Sequence, residues 1–242
     1  MNMGKTVVYI YAMTNDTGFA PCVDNSWFTL ACCKGGIKGG MRKKAAQDFK
    51  NGDTVFLLGL CGKSLKQSED MLYKPIYLAQ VDEAISMKEY YGPKNRSSGR
   101  KDDVYYLENG ELKAKENNPH RGREDEKKDI GGEHVLCAKR FTYWENKCGT
   151  SGEEIENAFQ NLFEHIRSRK TFRNYMVDRD FSKFIPESKN WKWFHEGCNY
   201  IGEQPMNETY VIGESANDET EELFCGNRVK SLNAKTVKSG ES

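Results

Sequence analysis

Two aromatic side chains, Phe19 and Trp27, stand just ahead of a segment that carries Lys34, Lys38, Arg42, Lys43, Lys44 and Lys50 against the single carboxylate of Asp48. Flat π faces beside cations suit the binding of a base together with its phosphate. Gly35-Gly36 and Gly39-Gly40 interrupt the same segment, and backbone without side chains lets amide groups approach a phosphate. Lys34, Lys38, Arg42, Lys43 and Lys44 are therefore the expected phosphate contacts, with Arg96, Arg100, Lys101, Arg121 and Arg123 extending the track. The expected base contacts are Phe19, Trp27, Tyr90, Tyr105 and Tyr143, with Phe28 and Tyr91 as further aromatics and Asp24 or Asn25 reading the base edge. Each has an ordinary alternative. Aromatics pack cores, loop Asx residues bond local backbone, and lysines on a helix serve solubility. Trp27 ranks first because it follows the polar Asp24-Asn25-Ser26 and lies outside any apolar run.

Dedicated catalytic motifs are harder to find. The chain holds no nucleophile elbow, Walker loop, dinucleotide fingerprint or zinc-hydrolase motif. His120, Asp53 and Asp103 are the acid–base candidates if the protein is an enzyme, although a loop histidine is more often solvated and Asp53 fits a turn bond. Eight cysteines could supply four disulfides or two zinc sites, yet no pair is spaced Cys-x-x-Cys and the four histidines are scattered. Free thiols in a reducing cytoplasm are the favoured reading, with neither a metal nor another cofactor expected.

Composition sets the frame for these groups. The 242 residues carry 36 basic and 36 acidic side chains, with 37% hydrophobic residues. A zero net charge gives no global field to attract nucleic acid, so binding must come from local asymmetry. The apolar run from Val7 to Met13 is too short for a membrane span or signal peptide and reads as a first strand. Further strands are expected at Thr29–Cys33, Thr54–Leu60, Tyr77–Val81, His134–Cys137 and Phe141–Trp144. Asn109-Gly110 marks a hairpin. A short basic helix is expected over Arg42–Asn51. A second, over Glu153–Lys170, places Ile155, Phe159, Leu162, Phe163 and Ile166 on one face, with Ser151 and Glu154 able to cap it. The polar stretch from Gly92 to Lys128 otherwise reads as loop. The aromatic cluster from Trp191 to His195 reads as packing more readily than as a stacking platform.

Five segments in order resemble the nucleotide-modification-associated domains of the second type, relatives of the EVE, YTH and ASCH branches of the PUA-like superfamily. They are Gly18-Phe19-Ala20-Pro21, Thr29 to Lys34 with Ile37, Gly52-Asp53 leading Val55 to Gly59, Asp103-Val104-Tyr105 with Asn118-Pro119-His120, and His134 to Trp144. Cys22 stands where such domains carry a polar Asn, and the insert from Lys38 to Lys50 is longer than usual. The resemblance, over about residues 5–150, implies an α+β fold with a PUA-like mixed β-barrel over 1–150; a helical elaboration is expected over 151–212, and the loss of periodicity over 213–242 reads as a flexible tail without a counterpart in the family.

The expected function is recognition of a modified or flipped base in an aromatic pocket. Its partner would be nucleic acid, DNA more than RNA, in a base-modification or phage-defence setting. Unstacking such a base costs a few kcal/mol, and aromatic stacking returns about 1–3 kcal/mol. An enzyme acting on a modified nucleotide or base, as a transferase or hydrolase, is the alternative. A protein-interaction or inhibitor module with an acidic tail is the third.

Overall fold

Strand β1 (Thr6–Met13) is buried on both faces, and this decides the architecture. In the computed structural model, which describes residues 4–24, 27–36, 40–65, 72–143, 160–168, 175–179 and 199–200, Val7, Tyr9 and Tyr11 enter one core while Val8 and Ile10 enter another. A strand with apolar residues on both faces needs cover on both. β1 pairs in parallel with β4 (Thr54–Cys61), which pairs antiparallel with β5 (Pro75–Gln80). β10 (Arg140–Tyr143) joins β5, and the short β11 (Met176–Asp178) and β12 (Asn199–Tyr200) complete a six-stranded mixed sheet in the order β11-β1-β4-β5-β10-β12.

One face of this sheet packs on α4 (Gln160–Ser168), through Leu162, Phe163 and Ile166 against Val8, Ile10, Phe56 and Leu58. The opposite face packs on α1 (Met41–Lys50) and on a four-stranded antiparallel sheet. That sheet has the order β2-β3-β9-β6, from β2 (Cys22–Asp24), β3 (Trp27–Leu30), β9 (His134–Ala138) and β6 (Glu83–Ser86). A third core lies beyond it, where Phe19, Cys32, Tyr91, Val104, Tyr105 and Val135 meet. It is closed by α2 (Met87–Tyr90), α3 (Glu124–Gly131) and the hairpin of β7 (Tyr105–Glu108) and β8 (Glu111–Ala114). Asn109 (φ 50°) and Gly110 (φ 79°) form the hairpin turn, the left-handed pair that Asn-Gly favours.

The protein is thus α+β with few helices, and one expectation is corrected. The described strands do not close into a barrel; they form separate sheets of six, four and two strands. The physical reason is the two-sided burial of β1 and β4, which sandwiches the large sheet between layers. The stretch from 92 to 128, expected to be loop apart from its hairpin, ends at α3, which begins at Glu124. Trp144, Ser151, Glu154, Ile155, Phe159, the Trp191–His195 cluster and the tail over 213–242 lie outside the described residues. Among the described residues no helix is long and apolar enough to cross a membrane.

Docking of α4 rests on few side chains. Phe163→Ala should lower the unfolding free energy by about 3–5 kcal/mol, read by urea denaturation.

Candidate active site

Beyond β3 the chain turns sharply, with Cys33 (φ 56°) and Lys34 (φ 50°) both left-handed. Non-glycine residues in that region cost on the order of 1–3 kcal/mol each, so the surroundings must hold them. They do so from both sides of the peptide. The Cys33 N–H donates to Asp129 Oδ1 at 2.6 Å, and the Cys33 carbonyl accepts from Arg42 Nε at 2.8 Å.

Arg42 was expected to hold phosphate; it is instead fully buried. Its guanidinium also donates to the carbonyls of Ala31, His134 (2.7 Å) and Asp129. Met41, Ala45 and Ala46 draw the same face of α1 into the core, which carries Arg42 inward with them. Two glycines make room. A Cβ on Gly35 would lie 3.0 Å from Arg42 Nη2 and 1.9 Å from the Lys128 carbonyl, and one on Gly132 would lie 2.4 Å from Nη2.

Arg42 thereby fixes Asp129, and Asp129 organises the site. Its Oδ2 meets His120 Nδ1 at 2.6 Å and accepts from the Tyr105 hydroxyl at 3.1 Å. His120 is buried, not a solvated loop histidine. Its N–H donates to Asn118 Oδ1 at 2.8 Å, and Asn118 Nδ2 donates to the Val104 carbonyl. Phe19 packs edge-on against the imidazole, 5.4 Å between centroids. The Cys33 sulfur lies within 4.8 Å of the ring. Burial opposes a charge on the ring, but the Asp129 carboxylate and the Cys33 sulfur outweigh it, and the His120 pKa is pushed up to about 10. At neutral pH the ring is an imidazolium. Cys33 itself is only partly buried.

Thiol, imidazole and carboxylate ligand atoms all lie within 4.8 Å of one another, close enough to bracket a metal ion. Both Asp129 oxygens, however, already take hydrogen bonds from Cys33, His120 and Tyr105. That is the arrangement of a nucleophile, a proton carrier and an orienting carboxylate.

The other expected site residues are dispersed. Tyr90, expected against a base, is buried with its hydroxyl 3.0 Å from both oxygens of Asp102. Asp102 also accepts from Thr29 Oγ1 at 2.6 Å and pairs with Arg100 at 3.3 Å. Burial pushes the Asp102 carboxyl up from its usual range, opposed by Arg100 and these hydrogen bonds. Tyr143 is buried too and donates to Asp16. Tyr105 braces Asp129 and does not offer an open face. These three corrections share one cause: each phenol is needed by a buried carboxylate, which would otherwise lack donors. Trp27 is half-buried, with Arg96 at 5.4 Å and Lys139 at 5.1 Å from its ring. Asp24 pairs with Trp27 across the β2–β3 ladder, while Asn25 and Lys38 lie outside the described residues.

Of the remaining cations, Lys34 adjoins Cys33 and sits over the Tyr11 ring at 4.7 Å. Lys43 pairs with Glu133, and Lys44 lies over Tyr175 at 5.5 Å. Asp53 accepts from the Lys5 N–H at 2.8 Å, a bond to the segment before β1 and not to its own turn. Asp103 pairs with Lys115 at 2.8 Å.

Residues 5–207 match the family described as nucleotide modification associated domain 2. The chain belongs to that family. No curated protein and no solved structure matches it. The family thus links this fold to nucleotide modification, and within it the relay of Cys33, His120 and Asp129 is the cluster best placed for chemistry. Sequence reasoning named His120 but missed both of its partners. Cys33 sits far from any histidine in sequence, and Asp129 ends a charged run that reads as solvated.

Iodoacetamide labelling, mapped to the Cys33 peptide by mass spectrometry, tests the pairing. His120→Asn should slow labelling about tenfold at pH 7, because an ordinary thiol is only a few per cent thiolate there. Stability should report the same pair. An imidazole that titrates near 6.5 when unfolded and about 10 when folded contributes fully below 6.5, and the contribution is lost as pH rises through about 10. An unfolded thiol keeps its proton up to about 8.5 and offsets the one held by His120, so the urea-unfolding free energy should fall mainly between about pH 8.5 and 10, and fall less in His120→Asn.

Proposed function

We propose that this member of the family is an enzyme that modifies a nucleotide or base through the Cys33 thiolate. The observation that carries the proposal is the cluster of a partly buried Cys33, the His120 ring and the Asp129 carboxylate that holds its Nδ1, all within 4.8 Å of one another. Family membership supplies the substrate class. The sulfur forms a bond to an electrophilic carbon of the base or nucleotide, the bond from that carbon to its leaving group breaks, and the leaving group takes the proton from His120. Water then attacks the same carbon and gives a proton to His120 as the carbon–sulfur bond breaks, which returns the thiolate and leaves a hydroxyl where the leaving group stood. In this reading Lys34, next in the chain to Cys33, would supply the cation for a phosphate or a developing anion.

A second reading keeps the protein as a reader of modified bases, and Trp27 favours it. Trp27 is the one expected base contact, among those with described side chains, that is not buried, and two cations border its ring. The PUA-like kinship, the preference for DNA over RNA and the phage-defence setting belong to either form of the proposal.

Incubation with a panel of nucleotides and of short DNA and RNA carrying modified bases separates the two. The enzyme reading expects a mass change in the substrate, or an adduct on the Cys33 peptide, that vanishes in Cys33→Ser and is slowed about 100-fold or more in His120→Asn. Selective binding with no mass change, lost in Trp27→Ala and kept in Cys33→Ser, would replace it with the reader.

A further inference from the structure

A concavity of about 270 Å³ opens beside the third core, and Cys33 is not among the residues that line it. Its walls include Pro93, Tyr91, Tyr105, Tyr106 and Leu107, and Lys115 and Asn95 add polar groups. Tyr106 is 40% exposed, although aromatic side chains of this size usually find cover. The volume falls near the small end of ligand pockets, about 300 Å³ and upward, enough for one flat heterocycle and its sugar.

The electrostatics narrow the ligand. The Lys115 ammonium is 2.8 Å from Asp103, which also accepts from the Ser97 hydroxyl. A cation neutralised by an adjacent carboxylate makes a poor phosphate site, since that carboxylate repels the anion. It remains a good hydrogen-bond donor to a ring carbonyl or ring nitrogen. The exposed ring of Tyr106 and that of Pro93 supply the stacking, while Tyr91 and Tyr105 back the wall. We propose that this pocket binds a neutral nucleoside or free nucleobase, at a site separate from the thiol relay.

The pocket also touches the relay's support. Tyr105 forms part of its wall and donates its hydroxyl to Asp129 Oδ2 at 3.1 Å, and the Tyr91 hydroxyl lies 3.6 Å from the sulfur of Cys32. Occupancy of the pocket therefore bears on the carboxylate that orients His120.

Calorimetric titration of the full chain with adenosine, guanosine, cytidine and uridine, and with their 5′-monophosphates, tests the proposal. At least one nucleoside should bind saturably and no more weakly than its monophosphate. Tyr106→Ala and Lys115→Met should each weaken it about tenfold. Both changes are at the surface, and unchanged thermal unfolding verifies that the fold is intact. Cys33→Ser should leave the affinity as it was, so the pocket stands or falls apart from the thiol chemistry. Absence of saturable binding by all four nucleosides, binding that survives both pocket substitutions, or a clear preference for the monophosphates would overturn the proposal.

Discussion

One buried guanidinium holds together the parts of this protein that matter for chemistry. Arg42 reaches from a helix into the core and donates to four carbonyl groups, those of Ala31, Cys33, Asp129 and His134. These belong to the end of one strand, the reactive turn, the last turn of α3 and the first residue of another strand. No apolar side chain could satisfy four converging carbonyls, and removal of the donor would leave each at a cost of about 1–3 kcal/mol. A lysine offers three donors from one point and lacks the planar fork. Among these carbonyls is that of Asp129, so Arg42 fixes the backbone from which that carboxylate projects. Strain at Cys33, orientation of Asp129 and the pairing with His120 all follow from this one group.

The third core is unusual in being built around carboxylates as much as around hydrocarbon. Asp102 and Asp129 are fully buried, and each is enclosed by phenol, amide, hydroxyl or cationic donors. Such networks stabilise only when complete. Burial pushes the thiols of Cys22 and Cys137 up to about 12, so these cysteines behave as inert packing. Cys33 differs from them in being only partly buried and in lying beside the His120 ring.

Much of the framework was legible in the chain. The β-branched run at Val7–Tyr11, the apolar run after Asn51-Gly52-Asp53, the Asn109-Gly110 turn and the spacing of Leu162, Phe163 and Ile166 each mark an element by local rules alone. The site was far less so. Arg42 reads as a surface cation because its neighbours Lys43 and Lys44 are, and only the burial of Met41, Ala45 and Ala46 reveals which face turns inward. The tyrosines read as stacking faces because nothing local discloses the carboxylates that claim their hydroxyls. The sheets were taken for a barrel because short strands and polar loops fit both; two-sided burial of β1 distinguishes them only once α4 is in place.

The bond from the Cys33 amide to Asp129 spans 96 residues of sequence, and that from Arg42 to the His134 carbonyl spans 92. During synthesis the cysteine emerges from the ribosome long before the groups that surround it. The turn at Cys33 gains these partners only once α3 and β9 have been made. The grouping of sulfur, imidazole and carboxylate is therefore completed late, as the third core closes.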